Sequence, residues 1–135
     1  MGLRIFLLED EADRYPRKQI VDILEVKHNL TIAQSCAEGM EKFTGPYDLL
    51  LLDHDMEGDY EYREEYPNTG YQFVKHLAEN MEEFFDGLGL PQVILHSHNP
   101  VGRKRMRDLL EGQGFSVDEC RFGPDYVKQI KEQLG

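Results

Sequence analysis

Apolar positions along this chain switch repeatedly between short continuous runs and the spacing of an amphipathic helix. Arg4 to Leu8 is an apolar run that stops at acids and reads as a buried strand. Ile20, Ile23 and Leu24 then fall at helical spacing, with the aliphatic stem of Lys27 flanking the stripe. Leu30 to Ala33 reads as a second strand, and Ala37 to Phe43 as a short helix stopped by Gly45-Pro46. Tyr47 to Leu52 is apolar on both faces after its first residues, the pattern of a central parallel strand covered by helices on either side.

Beyond Asp53 the chain is polar and irregular until Thr69-Gly70-Tyr71-Gln72, which fits a capping box with Thr69 as N-cap and Gln72 reaching back. Phe73, Val74, Leu77 and Met81 supply the buried stripe of the helix that follows. Val93 to Leu95 is a fourth strand. Asn99-Pro100 then opens a helix carrying Met106, Leu109 and Leu110, with asparagine as cap and proline at the first helical position. Phe115 to Cys120 alternates less cleanly, as an edge strand does. Gly123-Pro124 starts a last helix with Val127, Ile130 and Leu134 inward.

Strands alternating with helices in this way predict an α/β fold: a doubly wound, flavodoxin-like parallel sheet of five strands with right-handed crossovers. The expected strand order is 2-1-3-4-5, in three layers, with a ligand crevice at the carboxyl ends of strands 1 and 3. The expectation is one domain over residues 1–135. The stretch from His54 to Thr69 is longer than most connections between a strand and a helix.

Composition narrows the class. The 135 residues are 40% hydrophobic and 30% charged, with 12 glycines and 6 prolines, which excludes collagen-like, low-complexity and wholly disordered chains. No apolar run approaches the roughly 18 residues of a membrane span. The amino end reaches Glu9-Asp10-Glu11 too early for a signal peptide, so the expected location is the cytoplasm. Cys36 and Cys120 lie outside any Cys-x-x-Cys spacing. In the assumed order they also fall at opposite sheet edges, too far apart for a disulfide.

The net charge of −11 is uneven: residues 55 to 86 hold ten acidic residues against two basic ones, whereas Arg103, Lys104, Arg105 and Arg107 crowd together. The global field repels nucleic acid, so a bound polyanion must be received by a metal ion or by that basic patch.

The chemistry gathers where strands end. Strand 1 ends in Glu9-Asp10, strand 3 in Asp53-His54-Asp55 and strand 4 in His96-Ser97-His98-Asn99. In the assumed order these ends are neighbours, so carboxylates and imidazoles converge on one rim. Carboxylates without thiolates suit a hard ion, Mg²⁺ or Mn²⁺, and added imidazole admits Mn²⁺ or Zn²⁺. Clustered carboxylates repel one another without a cation. The candidate metal ligands are Glu9 (direct or through water), Asp10, Asp53 and Asp55. An acid after a strand often does no more than cap the next helix; the acidic pair beside Asp-His-Asp on adjacent strands favours a site.

Asn99-Pro100-Val101-Gly102-Arg103 is a second signal, because a helix amino terminus offers unpaired N–H groups to a phosphate. Gly102 lets a ligand approach the backbone and Arg103 adds a fork of donors. Ser97, Asn99, Gly102 and Arg103 are therefore the candidate phosphate-binding set. His54, His96 and His98 are rim histidines. His96 is the first choice as general acid or base, with His54 as the alternative. His28 and His76 read as surface or packing residues. Tyr60, Tyr62 and Tyr66 sit in the acidic loop, which is read as solvated rather than as a lid.

Glu9-Asp10 after strand 1 and Asp53 after strand 3 give the chain a resemblance to response-regulator receiver domains, the CheY-like family, over nearly its whole length. That resemblance implies Mg²⁺ on those acids and a phosphoryl group accepted by Asp53. Two departures stand out: receivers end strand 4 in Thr or Ser, where this chain has His96-Ser97, and carry Lys-Pro after strand 5, where it has Arg121-Phe122-Gly123-Pro124. A closer resemblance is to the cyclic-phosphate processing receiver domains. It rests on Leu52-Asp53-His54-Asp55-Met56, Thr69-Gly70-Tyr71 and His96-Ser97-His98-Asn99-Pro100-Val101-Gly102-Arg103, in that order.

This resemblance implies a metal-dependent phosphoesterase that processes cyclic phosphates at nucleic-acid or nucleotide ends, with Mg²⁺ or Mn²⁺ as cofactor. Asp53, His54, His96 and Ser97 are then the catalytic candidates, and the partner is a phosphate-bearing small molecule or a nucleic-acid terminus. The alternative is a stand-alone receiver phosphorylated on Asp53 by a histidine kinase; the missing lysine argues against it. A silent interaction module is a third reading, disfavoured by three clustered acids.

Overall fold

Leu49 to Leu52 have no exposed surface at all, and the sheet is built around them. Burying a leucine completely stabilises by roughly 1.5–3 kcal/mol relative to leaving it in water, which explains why four in succession lie at the centre and not at an edge. The computed structural model describes residues 2–14, 17–53, 69–85, 89–96, 99–120 and 128. Its strands are β1 (Arg4–Leu8), β2 (Asn29–Ala33), β3 (Leu49–Leu52), β4 (Gln92–Leu95) and β5 (Val117–Glu119). They form one sheet in the order β2-β1-β3-β4-β5, every pair parallel, as the alternation of strands and helices predicts.

Successive side chains in a strand point to opposite faces, and two cores follow from that alternation. Phe6, Leu8, Leu50, Leu52, Val93 and Leu95 face the larger core, which is closed by helices α2 (Cys36–Lys42), α3 (Gly70–Glu79), α4 (Met81–Phe85) and α5 (Pro100–Gly112). Ile5, Leu7, Leu49, Leu51 and Ile94 face the other, closed by α1 (Arg17–Lys27) through Ile20, Val21 and Leu24. Aromatic rings tie the larger core together: Phe6 stacks on Phe73 at 5.3 Å, and Phe43 meets both edge-on. Gly39 permits this approach, since a Cβ there would lie 3.0 Å from the Phe73 ring.

Several details differ from the sequence expectation. Ile23 is 43% exposed and Val21 is buried in its place, because α1 turns the other flank of the Ile20–Leu24 line toward the sheet. Met81 does not extend α3. Asn80 leaves helical geometry and its N–H caps onto the Leu77 carbonyl, after which α4 brings Phe84 and Phe85 onto Phe43. β3 begins at Leu49, and just before it the Asp48 carboxylate accepts from Arg4, through the Arg4 N–H at 2.8 Å and its guanidinium at 2.9 Å. Cys36 and Cys120 form no disulfide and are associated with different cores. Among the described residues no helix is long and apolar enough to cross a membrane. The expected last helix lies outside the described residues except at Lys128, which is helical.

Candidate active site

Each parallel ladder runs one step beyond the last strand residue. The Glu9 N–H donates to the Ala33 carbonyl, the Asp53 N–H to Leu8 and the His96 N–H to Leu52, all at 3.0 Å. Glu9, Asp53 and His96 therefore stand side by side at the carboxyl ends of β1, β3 and β4. Alternation carries them to the α1 side, the face of Leu7, Leu51 and Ile94. Each offers a ligand atom, and the three atoms lie within 4.8 Å of one another. Among the described residues only Glu9, Asp53, His96 and Thr69 are buried and polar. Thr69 is a helix cap; the other three form this cluster. Burying ionisable groups costs free energy unless they are paired, so their gathering makes this cluster the candidate site.

Glu9 is the hub. Its Oε1 accepts from Arg17 Nε at 2.9 Å and lies 3.0 Å from His96 Nε2, and its Oε2 accepts from the Glu11 N–H at 2.9 Å. Burial alone would raise this carboxyl. The hydrogen bond and charge of His96, the Glu11 amide and Arg17 together outweigh burial and hold it down at about 2. An ionised Glu9 makes His96 Nε2 the protonated ring nitrogen, which sets the ring orientation. Asp10, half-buried beside it, goes the other way: burial, then the hydrogen bond and negative charge of Glu9, push it up to about 7. Two adjacent acids are thus pushed in opposite directions, Glu9 toward the ionised form and Asp10 toward the neutral one.

The donor chemistry of the described cluster, two carboxylates and an imidazole, fits a divalent ion. Of the predicted ligands, the structure gathers Glu9 and Asp53 with His96, and places Asp10 against Glu9 and outside that trio. Asp55, His54, Ser97 and His98, and the loop tyrosines Tyr60, Tyr62 and Tyr66, lie outside the described residues. Asn99 caps α5 as expected, its Oδ1 accepting the Gly102 N–H at 3.0 Å, so that donor already serves the helix. Arg103 pairs with Glu119 at the end of β5, and Arg107 shares the same carboxylate. Lys104 pairs with Asp108 at 2.7 Å. The basic cluster of α5 is thus largely answered by acids of this chain.

Arg17 escaped the sequence reading. It had a signal: α1 opens with Arg17 and Lys18 and no acid in its first turn, although a helix amino terminus disfavours cations. A cation there needs a carboxylate from elsewhere, and Glu9 supplies it.

Residues 4–112 match the family model of the cyclic-phosphate processing receiver domain. No curated protein matches the chain. Among solved structures, the response regulator TrrA of Thermotoga maritima, in complex with Mg²⁺-BeF, is similar at 20% identity and TM-score 0.61, covering 100% of both chains. A CheY-like receiver domain protein of Methanospirillum hungatei is similar at 18% identity and TM-score 0.64, covering 99% of this chain and 94% of that one. The chemotaxis protein CheY4 of Vibrio cholerae is similar at 15% identity and TM-score 0.63, covering 99% and 100%. At such identities the likeness to these structures carries the fold.

Proposed function

The chain belongs to the cyclic-phosphate processing receiver domains, and on that footing we propose that it is a metal-dependent phosphoesterase acting on a cyclic phosphate at a nucleic-acid or nucleotide end. The observation that carries the reading is the buried meeting of Glu9, Asp53 and His96 at three adjacent strand ends. Glu9 and Asp53 are the residues to hold Mg²⁺ or Mn²⁺, with Asp10 alongside and Asp55 completing the predicted set. Such an ion, when bound, polarises a phosphoryl oxygen and supplies an activated water.

The chain's own residues do the rest. Glu9 holds the His96 ring through Nε2 at 3.0 Å, so His96 moves its proton at Nδ1. His54 is the alternative proton carrier. Ser97, Asn99, Gly102 and Arg103 receive the phosphate oxygens, and Gly102 and Arg103 must then exchange their present partners, Asn99 and Glu119. Burial of the cluster keeps these interactions strong, because charges attract more where water is excluded.

A second reading has its own support. Asp53 follows the central strand of a receiver fold, where a phosphoryl-accepting aspartate belongs, and a histidine kinase or small phosphodonor is the corresponding partner. The experiment that separates the two uses an RNA oligomer ending in a 2′,3′-cyclic phosphate, incubated with Mg²⁺ or Mn²⁺ and read by mass spectrometry. Conversion of the terminus by the wild type, and its loss in both Asp53→Asn and His96→Ala, is the expected result. Folded protein that binds Mn²⁺ and converts nothing would transfer the assignment to the phosphoryl-accepting switch.

A further inference from the structure

Arg17 contributes a positive charge at the edge of the carboxylate cluster. Its side chain is 19% exposed, and its Nε donates to the same Glu9 oxygen that lies against His96 Nε2. Nη1 lies 3.6 Å from Glu11 Oε2, and the Asp53 charge acts on the same guanidinium. Glu9 thus meets three donors: a ring nitrogen, a backbone amide and a long, flexible side chain. Of these, only the side chain can leave without moving the sheet or the chain that follows β1.

A divalent ion taking Glu9 as a ligand competes directly with that guanidinium. Once displaced, Arg17 faces a like charge across a small distance, and the arrangement is relieved by an anion between the two. A guanidinium offers two parallel N–H donors matched to phosphate oxygens, which an ammonium does not. We infer that Arg17 is a further phosphate-receiving residue of this site, held on Glu9 until a divalent ion takes that carboxylate. The substrate class is an anionic phosphodiester, whose charge bridges ion and guanidinium. This rests on the divalent-ion part of the phosphoesterase reading and not on its cleavage step.

The coupling is measurable without turnover, because ligands that favour one arrangement help each other to bind and the help is reciprocal. Mn²⁺ binding is titrated by paramagnetic resonance in the wild type, Arg17→Gln and Arg17→Lys, each with and without inorganic phosphate. In the wild type, phosphate should tighten Mn²⁺ binding. Arg17→Gln should bind Mn²⁺ more tightly by itself, on the order of fivefold or more, and lose the phosphate effect. Arg17→Lys, which keeps the charge and guards against a misfolded glutamine variant, should bind Mn²⁺ like the wild type with a weaker phosphate effect.

Unchanged or weakened Mn²⁺ binding in Arg17→Gln would make Arg17 a mere support for Glu9 and overturn the inference. Phosphate coupling undiminished in either variant would do the same. A protein showing the full pattern while leaving a cyclic phosphate intact keeps the inference and removes the phosphoesterase reading. A wild type without Mn²⁺ affinity removes both.

Discussion

Glu9 and Asp10 are consecutive residues of one type of acid, yet their environments separate them to about 2 and about 7. Both are raised by burial, but Glu9 also receives a ring, a guanidinium and an amide that outweigh it, while Asp10 meets the hydrogen bond and negative charge of Glu9, which add to it. A similar argument applies to His28, between α1 and β2. Its Nδ1 accepts the Leu3 N–H at 3.0 Å, so that nitrogen cannot carry a proton in the fold. Burial first, then the charge of Lys27, lowers its pKa. The unfolded chain therefore binds the proton more readily, and the stabilising contact is present above the unfolded value of about 6.5 and lost as pH falls through the lowered folded one. His28→Asn keeps an acceptor without a titrating ring. Between about pH 7.5 and about pH 5 the thermal midpoint should fall further for the wild type than for the variant; equal falls would assign the acid sensitivity elsewhere. From sequence His28 reads only as a packing or surface residue, because the Leu3 amide meets it across a turn of structure that spacing does not encode. Glu9, Asp53 and His96 were legible because each follows a strand, and strand ends in register must be neighbours. Arg17 was not, since its position depends on how α1 leans over the rim.

At the scale of elements, caps carried the most readable information. Thr69 accepts the Gln72 N–H at 3.1 Å through its hydroxyl, and Asn99 accepts the Gly102 N–H at 3.0 Å, each at the helix start its motif predicts. Thr69 is fully buried, so its loss cannot be made good by water. Thr69→Ala should cost about 1–2 kcal/mol in urea unfolding, and Thr69→Ser, which keeps the oxygen, much less. Equal losses in both would place the role of Thr69 in its methyl group. Element ends were less legible than element starts. The α3 stripe continues in sequence to Met81, but Asn80 turns the chain so that Phe84 and Phe85 reach the aromatic group around Phe43. The pull on those rings is long-range, and no local period announces it. The α1 stripe fails differently: Ile23 and Val21 both fit an amphipathic pattern, and only the angle at which the helix meets β1 and β3 selects Val21.

For the whole molecule, a net charge of −11 and a buried pair of carboxylates act in the same direction, both opposing the folded state in the absence of a cation. Arg17 and His96 offset part of that cost from within the fold, and a divalent ion would offset more. Because an ion that binds the folded chain alone stabilises it by mass action, saturation at a hundred times the dissociation constant is worth about 2.7 kcal/mol. For a chain of this size that corresponds to a rise in thermal midpoint of roughly 10 °C. The wild type should show this rise with Mg²⁺ and lose it on adding a chelator, whereas Asp53→Asn, which removes a carboxylate charge without changing side-chain size, should melt at the same temperature with or without Mg²⁺. Calcium-free buffers of equal ionic strength, with Na⁺ in place of Mg²⁺, separate the site from general screening of a highly anionic chain. A midpoint that rises equally in both proteins belongs to screening, and it would leave the cluster at the sheet's edge as an internally neutralised network of Glu9, Arg17 and His96. A rise confined to the wild type ties the cost of burying these charges to an ion the fold is built to receive.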